Sequence, residues 1–425
     1  MTHRLYYDDA FLRSFSAQVV DIREASRADG VSIWQIALDR SAFYPASGGQ
    51  PHDTGILTAT SRNGAILEIT IESVEEDEQG EVWHFTRKPL LAGTAVQGSI
   101  DWPRRLDHIQ QHSGQHLVSA VFAHELDAPT VSFHLGETTS TVDLSTGPIA
   151  HHSLERVERI ANDIIAEDRA VTIRTVDRGE AESLLAEGRL RKLPERDGSI
   201  RLIEIADYDL NACGGTHVRS TGQIGGLLIR AVERVSRGIR VEFVCGQRAV
   251  ASARHDFTLL HRAGLALSVG SDGIPGAIER LQSEGKSSAK ACQKLREDLA
   301  GYHAIRLAVE EMIQDNLRLV RRAFSDRDRE YVRLLASRLT ATVPRTVALF
   351  ISAETNPARI FLARSQDMNL HCGEFLREAL ATYGLRGGGS SDLAQGDLTK
   401  EQADELSARL ASDLRSLLAR PRSAE

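Results

Sequence analysis

Over the first hundred residues apolar and polar positions alternate. Residues 17–22, 31–38 and 66–74 each show period two, the mark of half-buried antiparallel strands. Between the second and third, residues 42–55 carry Pro45, Gly48, Gly49 and Pro51, which forbid regular structure. The aromatic, glycine and amide groups there suit a pocket wall as well as a connection. The period changes near Pro103: Leu106, Ile109, Ser113, Leu117, Ala120 and Val121 recur at three and four and predict an amphipathic helix from Arg104. Strand patterns follow at 130–135, 140–144, 171–176, 200–205, 226–232 and 239–244, with helices at 153–168, opened by Ser153, and 179–187. Beyond Gly246, residues 247–266 and 275–323 are rich in Ala, Leu, Arg, Glu and Lys and read as long helices, a helical hairpin or a dimerising coil. Alternation returns at 346–351 and 359–364, before a helix at 373–382, a glycine-rich run at 384–396 and a terminal helix at 399–419.

These patterns predict an α+β multidomain protein. A β-rich, barrel-like N-terminal domain spans 1–102, an α+β domain 103–246, a helical connector 247–329 and an α/β glycine-rich domain 330–425. A chain of 425 residues is too long for one typical core, in keeping with this division. The hydrophobic share of 41% and charged share of 26% are those of a globular protein and exclude a disordered one. A formal charge of −8 argues against a non-specific coat for nucleic acid, though not against a shaped site with a local basic patch. Arg230, Arg234, Arg237 and Arg240 form one such patch. Residues 321–345, with seven Arg against three acids, form another. The four cysteines, Cys213, Cys245, Cys292 and Cys372, lie far apart, which suits a reducing compartment. No apolar run approaches a membrane span, and acids stand at Asp8 and Asp9 where a signal peptide is apolar, so the expected location is cytoplasmic, with no membrane partner.

The chemistry concentrates in two short stretches. Residues 211–218 read Asn-Ala-Cys-Gly-Gly-Thr-His-Val, so that Cys213 and His217 stand four apart across Gly214 and Gly215. About a hundred residues earlier His112 and His116 stand four apart on the predicted helix, hence on one face. Three imidazoles and one thiolate suit a tetrahedral Zn2+ of net charge about +1, one ion per chain. His108 adds a further step of four, but at a rise of about 1.5 Å per residue it lies roughly 12 Å from His116, too far for a shared ion. The expected metal ligands are His112, His116, Cys213 and His217. The run Gly387, Gly388, Gly389 beside Arg386 suits an anion-binding loop or a flexible connector.

Four motifs in order, Phe43-Tyr-Pro-Ala-Ser-Gly-Gly-Gln, Gln111-His-Ser-Gly-Gln-His-Leu, Cys213-Gly-Gly-Thr-His-Val and Gly387-Gly-Gly-Ser-Ser-Asp-Leu-Ala-Gln-Gly, resemble the editing half of alanyl-tRNA synthetase. They resemble still more the long form of the freestanding AlaX editing proteins, with its C-terminal DHH-associated domain, and the resemblance runs over the whole chain. It implies hydrolysis of the ester in mischarged tRNA(Ala), the seryl form first and the glycyl form second. It implies Zn2+ held by His112, His116, Cys213 and His217. It places Gly48, Gly49 and Gln50 in the wall of the same cleft. The reader of the serine hydroxyl falls within residues 130–136, where Thr130, Ser132 and His134 share one face if strand alternation holds. Arg230, Arg237, Arg240, Gly387, Gly388 and Gly389 are the expected tRNA contacts, and a homodimer through the helical or C-terminal region is expected. No aminoacylating core is accommodated, so the chain is not expected to activate alanine. No residue is assigned as general base, and with four protein ligands the metal is expected to position substrate rather than to generate hydroxide.

Two other chemistries are disfavoured. A metalloprotease of the H-E-x-x-H type needs Glu after the first His, where this chain has Ser113. A DHH-type phosphoesterase needs an Asp-rich metal cluster, and Asp107-His-Ile has none beside it. A non-catalytic, zinc-stabilised tRNA-binding factor remains the alternative.

Overall fold

Alternation carries the first sheet further than those three segments. The computed structural model describes residues 1–28, 31–61, 63–193, 198–314 and 316–418 and divides the chain into two units, Met1–Arg262 and Ala263–Glu425. In the first unit, strands β1 (Ser14–Ala28), β2 (Val31–Leu38), β3 (Gly55–Thr60), β4 (Ile66–Ile71), β5 (Ser73–Glu76), β6 (Val82–Thr86) and β7 (Ala95–Ile100) hydrogen-bond in the order β4-β3-β7-β1-β2-β6-β5. Only Glu72 separates β4 from β5, and its N–H donates to Phe85 O on β6 at 2.9 Å. One bent segment therefore supplies both ends of the sheet and curls it in a barrel-like way. Its inward positions, among them Phe15, Val19, Ile36, Leu38, Leu57, Ile69, Val74 and Val96, form one buried cluster.

The barrel is tied to the next element by a buried ion pair. Helix α1 (Trp102–Leu126) starts at Asp101, whose side chain accepts from Arg104 N, with Pro103 in its first turn. One turn in, Arg105 is fully buried, as is its partner Asp53. The guanidinium Nε meets both carboxylate oxygens, at 3.0 and 2.9 Å, Nη1 donates to Ala10 O at 2.9 Å and Nη2 to Ala42 O. The second oxygen of Asp53 also accepts from Tyr44 N at 2.7 Å, so both ends of the loop 42–53 are fastened to α1.

After α1 come β8 (Thr130–Leu135), β9 (Ser140–Leu144), α2 (His151–Ala166), β10 (Val171–Val176), α3 (Arg178–Ala186), β11 (Ile200–Ile205), β12 (Asp209–Ala212), β13 (Leu227–Val235) and β14 (Gly238–Cys245). A four-stranded sheet in the order β8-β9-β14-β13 packs against α1 and α2, and β10-β11-β12 form a second, antiparallel sheet. Ile109, Leu117, Val121, Val142, Ile164, Ile203 and Phe243 share the core between them. Helix α2 begins at His151, two residues before the Ser153 start expected, and Ala150 at its N-cap makes no side-chain cap.

Helix α4 (Gly246–Leu267) is followed by α5 (Ile274–Glu310), β15 (Arg318–Phe324), α6 (Arg329–Thr342), β16 (Thr346–Ser352), β17 (Ala358–Arg364), α7 (Cys372–Ala381), β18 (Gly387–Gly389), β19 (Leu393–Leu398) and α8 (Lys400–Leu418). The sheet order is β15-β16-β17-β19-β18, with β15 and β16 parallel. Two expectations are corrected. The long helix ends at Glu310 rather than near 323, and residues 318–324 form a strand, so the sheet domain begins before the expected boundary at 330; alanine and arginine composition masked the buried pair Leu319 and Val320. Gly387, Gly388 and Gly389 are no loop but an edge strand paired with β19. Close packing explains them: a Cβ on Gly387 would lie 2.5 Å from Leu380 on α7, and one on Gly389 2.3 Å from Leu393 O. Residue 419, to which the last helix was expected to reach, lies outside the described residues.

Removing one partner of the buried pair leaves an uncompensated charge, so Asp53→Ala is expected to lower stability by about 3–5 kcal/mol. Denaturation followed by tryptophan fluorescence checks this in the first unit specifically, because Trp34, Trp83 and Trp102 all lie there.

Candidate metal centre

The four expected ligands meet. One ligand atom from each of His112, His116, Cys213 and His217 lies within 4.8 Å of all the others. His112 and His116 come from α1, while Cys213 and His217 come from the loop that follows β12. The His112 and His217 rings are 4.5 Å apart at their centroids and His116 and His217 4.9 Å. The thiol sulfur of Cys213 sits 3.4 Å from His112 Nε2 and 3.3 Å from His217 Nε2.

His112 and His217 both turn Nε2 toward the Cys213 sulfur, and each has an outer partner at Nδ1. Gln50 Oε1 accepts from His112 Nδ1–H at 2.8 Å and from Thr216 N–H at 3.0 Å, while its Nε2 donates to Thr216 Oγ1 at 2.8 Å. Ser113 Oγ meets His217 Nδ1 at 3.2 Å and accepts from Val218 N–H at 3.1 Å. The Gln50 oxygen, an acceptor only, thereby holds His112 in the tautomer that leaves Nε2 with its lone pair toward the centre, the arrangement outer partners enforce in metal sites. His116 Nε2, shielded from solvent, has no hydrogen-bond partner at all. An unpaired buried acceptor is costly unless something occupies the space it faces. Three imidazole nitrogens around one sulfur fit a divalent ion that accepts nitrogen and sulfur ligands.

The loop is shaped for this task. Arg201 Nη1 donates to Cys213 O at 2.8 Å and to Gly215 O at 2.9 Å, folding 213–215 into a tight curve. Gly215 N–H donates to the Cys213 sulfur at 3.3 Å, and a Cβ on Gly215 would stand 2.1 Å from His112 Cε1, so only glycine fits. Gly214 is exposed and Cys213 only partly covered, which makes this the open side of the centre. Burial, reinforced by neighbouring imidazoles and Arg201, holds His112 and His217 well below the usual imidazole range, and burial with Arg191 and Arg201 brings His116 down to about 4. Burial pushes the Cys213 thiol up.

Other expected residues divide. Gln50 touches the ligands directly. Gly48 and Gly49 adopt positive φ, +56° and +79°, and Gly49 abuts the Phe133 ring, where a Cβ would lie 2.6 Å from Cε2. The expectation that Thr130, Ser132 and His134 share one face is overturned: the β8–β9 register shifts between Thr130 and Ser132. Thr130 turns toward α1 and donates to Ser119 Oγ at 2.8 Å, whereas Ser132 is exposed and donates to Asp143 at 2.8 Å, and His134 is exposed. The residue of β8 that reaches the centre is Phe133, its ring 5.9 Å from that of His112. Asp143 also pairs with Arg240 at 2.7 Å, and Arg230 pairs with Asp256, so both arginines are held by carboxylates; Arg234 and Arg237 are exposed without an ion pair among the described residues. Sequence reasoning missed Ser113, Arg201, Thr216 and Phe133. For Ser113 the signal was its place inside the His-x3-His step; the others become visible only when distant segments meet.

Fold and centre together define a protein built from domains that accompany tRNA synthetases. Residues 1–104 match the family of class II (A) tRNA synthetases, 200–241 the second additional domain of threonyl and alanyl tRNA synthetases, and 316–416 the DHHA1 domain. Within that class the chain is similar over nearly its whole length to alanyl-tRNA editing proteins and to the corresponding part of alanine–tRNA ligases. It is 28% identical over 404 residues to the alanyl-tRNA editing protein AlaX-L of Pyrococcus horikoshii, covering 93% of this chain and 94% of that one. It is 31% identical over 415 residues to the alanine–tRNA ligase of Pyrococcus abyssi, covering 93% of this chain and 42% of the ligase. The chain thus spans less than half the length of that ligase. Among the described residues no helix is long and apolar enough to cross a membrane.

Two outcomes are expected. Gln50→Leu frees the His112 ring and should weaken divalent-metal binding about 10–100-fold, read by competition titration with Co2+ or Zn2+. With imidazoles held neutral and the thiol pushed up, metal entry near neutral pH displaces one proton, from Cys213. Affinity should therefore rise about tenfold per pH unit between about pH 6 and 8; a steeper slope would mean that imidazolium protons are displaced as well.

Proposed function

We propose that this chain hydrolyses the aminoacyl ester of mischarged tRNA(Ala), removing serine first and glycine second, with one Zn2+ held by His112, His116, Cys213 and His217. The observation that carries the reading is the convergence of those four side chains in a chain similar over nearly its whole length to an alanyl-tRNA editing protein. Three imidazoles and one thiolate are donors that Zn2+ favours, and the cluster includes no carboxylate. Bound there, Zn2+ supplies positive charge that draws the ester carbonyl and water together.

The remaining work falls to the chain. Gln50 keeps His112 in the ligating tautomer, and Ser113 holds the His217 ring in place. Arg201 holds the 213–215 curve and keeps the open side at Gly214 free of side chains; a Cβ there would meet only Tyr7, at 3.6 Å. The ester reaches the centre from that side, the carbonyl carbon gains a water oxygen, and the bond to the ribose oxygen breaks to give free amino acid and a ribose hydroxyl. Phe133 against Gly49 closes the opposite wall and excludes water behind the amino acid. Arg234 and Arg237 remain available to phosphates, while Arg230 and Arg240 must first give up their carboxylates. The tRNA is met in the cytoplasm. The second reading, a zinc-stabilised tRNA-binding factor, is favoured by one fact: four protein donors fill a tetrahedral set and leave no open position.

Amino-acid release from seryl-, glycyl- and alanyl-tRNA(Ala) separates the two. The proposal expects serine to be lost fastest and alanine spared, with activity abolished by chelation and restored by Zn2+. Cys213→Ala should lose about a hundredfold or more in rate. A folded, metal-loaded protein that leaves all three esters intact would favour the binding factor.

A further inference from the structure

Beside the centre lies a buried polar group that the metal site does not use. Gln115 stands on α1 one residue before His116 and three after His112, and is only 5% exposed. Its Nε2 donates to Ser119 Oγ at 2.9 Å, and Thr130 Oγ1 donates to the same oxygen at 2.8 Å. Its Oε1, shielded from solvent, has no hydrogen-bond partner. The two ends of β8 bracket it: Phe133 lies against His112 and Thr130 against Ser119, two turns further along α1. Along α1 Gln115 falls between these two contacts and reaches β8 through Ser119.

We infer that Gln115 is the residue that distinguishes serine, its Oε1 accepting the hydrogen bond of the seryl hydroxyl. The inference deepens the deacylase reading and rests on it. An ester held at the metal carries its amino-acid side chain within a few bonds of the centre, and the unpaired side-chain atom that adjoins His116 in the sequence of α1 is an acceptor. Of the three amino acids that matter, serine alone brings a donor on its side chain. Alanine sets a methyl against the amide oxygen and leaves it unpaired and dry, the kind of mismatch by which a hydrogen-bonding site rejects an analogue. Glycine leaves room for a water, which places it between the two. Ser119 and Thr130 are positioning residues: their paired hydrogen bonds fix the plane of the amide and so the direction of Oε1. Thr130 therefore acts through Gln115, while Ser132 and His134, exposed beyond the register shift, take no part.

The test is Gln115→Met, which keeps length and removes the acceptor, compared with wild type on seryl- and glycyl-tRNA(Ala). The expected result is a fall of about tenfold or more in the seryl-to-glycyl ratio of kcat/KM, the worth of one buried hydrogen bond. Metal stoichiometry should stay at the wild-type value. Affinity for a non-hydrolysable 3′-seryl-amide of adenosine should weaken more than that for the glycyl-amide. A merely structural Gln115 would lower both esters equally and leave the ratio where it was, which overturns the inference. Thr130→Val, which releases Ser119 and lets the amide turn, carries the same comparison if Gln115→Met does not fold, with the ratio moving in the same direction. Wild-type protein that is folded and metal-loaded yet releases neither amino acid overturns the deacylase reading itself.

Discussion

The amide of Gln50 joins three parts of the first unit at one point. Its oxygen takes the Nδ1 proton of His112 and the N–H of Thr216, and its nitrogen reaches Thr216 Oγ1. The barrel loop, the α1 helix and the cysteine-bearing loop are thereby set against each other, and His112 is left with one lone pair and one direction in which to offer it. Such a restraint works only if the loop carrying Gln50 is itself immobile. The Asp53–Arg105 pair and the bond from Tyr44 N to Asp53 provide that a few residues away. Neither partner of the buried pair can leave without stranding the other's charge, so the pair serves as a clamp regardless of how much net stability it contributes.

From this clamp follows an electrostatic arrangement that suits a cation and little else. The centre is buried, its imidazoles are forced neutral, its thiol is forced up, and Arg201 stands close by with Nη1 on the loop carbonyls. Without an ion His112 and His217 Nε2 meet only the Cys213 sulfur and His116 Nε2 has no partner, whereas a bound ion would use all three nitrogens. In the proposed reading selectivity has a separate source: Gln115 and Ser119 on α1, joined to Thr130 on β8, serve the amino acid rather than the metal.

Much of this was legible in the sequence because local chemistry sets it. The step of four between His112 and His116 is a helix property, and the Cys213–His217 spacing across two glycines is a loop property, so each half of the ligand set can be read alone. The barrel strands announced themselves through alternation at 31–38 and 66–74. What stayed hidden depends on pairs far apart in the chain or on register. No local pattern links Gln50 to Thr216, or Asp53 to Arg105. A single bulge in β8 put Phe133, not Ser132 or His134, toward the centre, because one extra residue exchanges the faces of a strand. The glycines at 387–389 suited an anion-binding loop or a flexible connector, yet their lack of side chains answers to the approach of α7 and β19. Residues 318–324 looked helical by composition because their arginines outnumber the two buried apolar residues that hold them in the sheet.

X-ray absorption at the zinc edge of the zinc-loaded protein reads the ligand set itself. One ion per chain is expected, with one sulfur at about 2.3 Å and three nitrogens at about 2.0–2.1 Å. A shell dominated by oxygen, or one without sulfur, would contradict this ligand set.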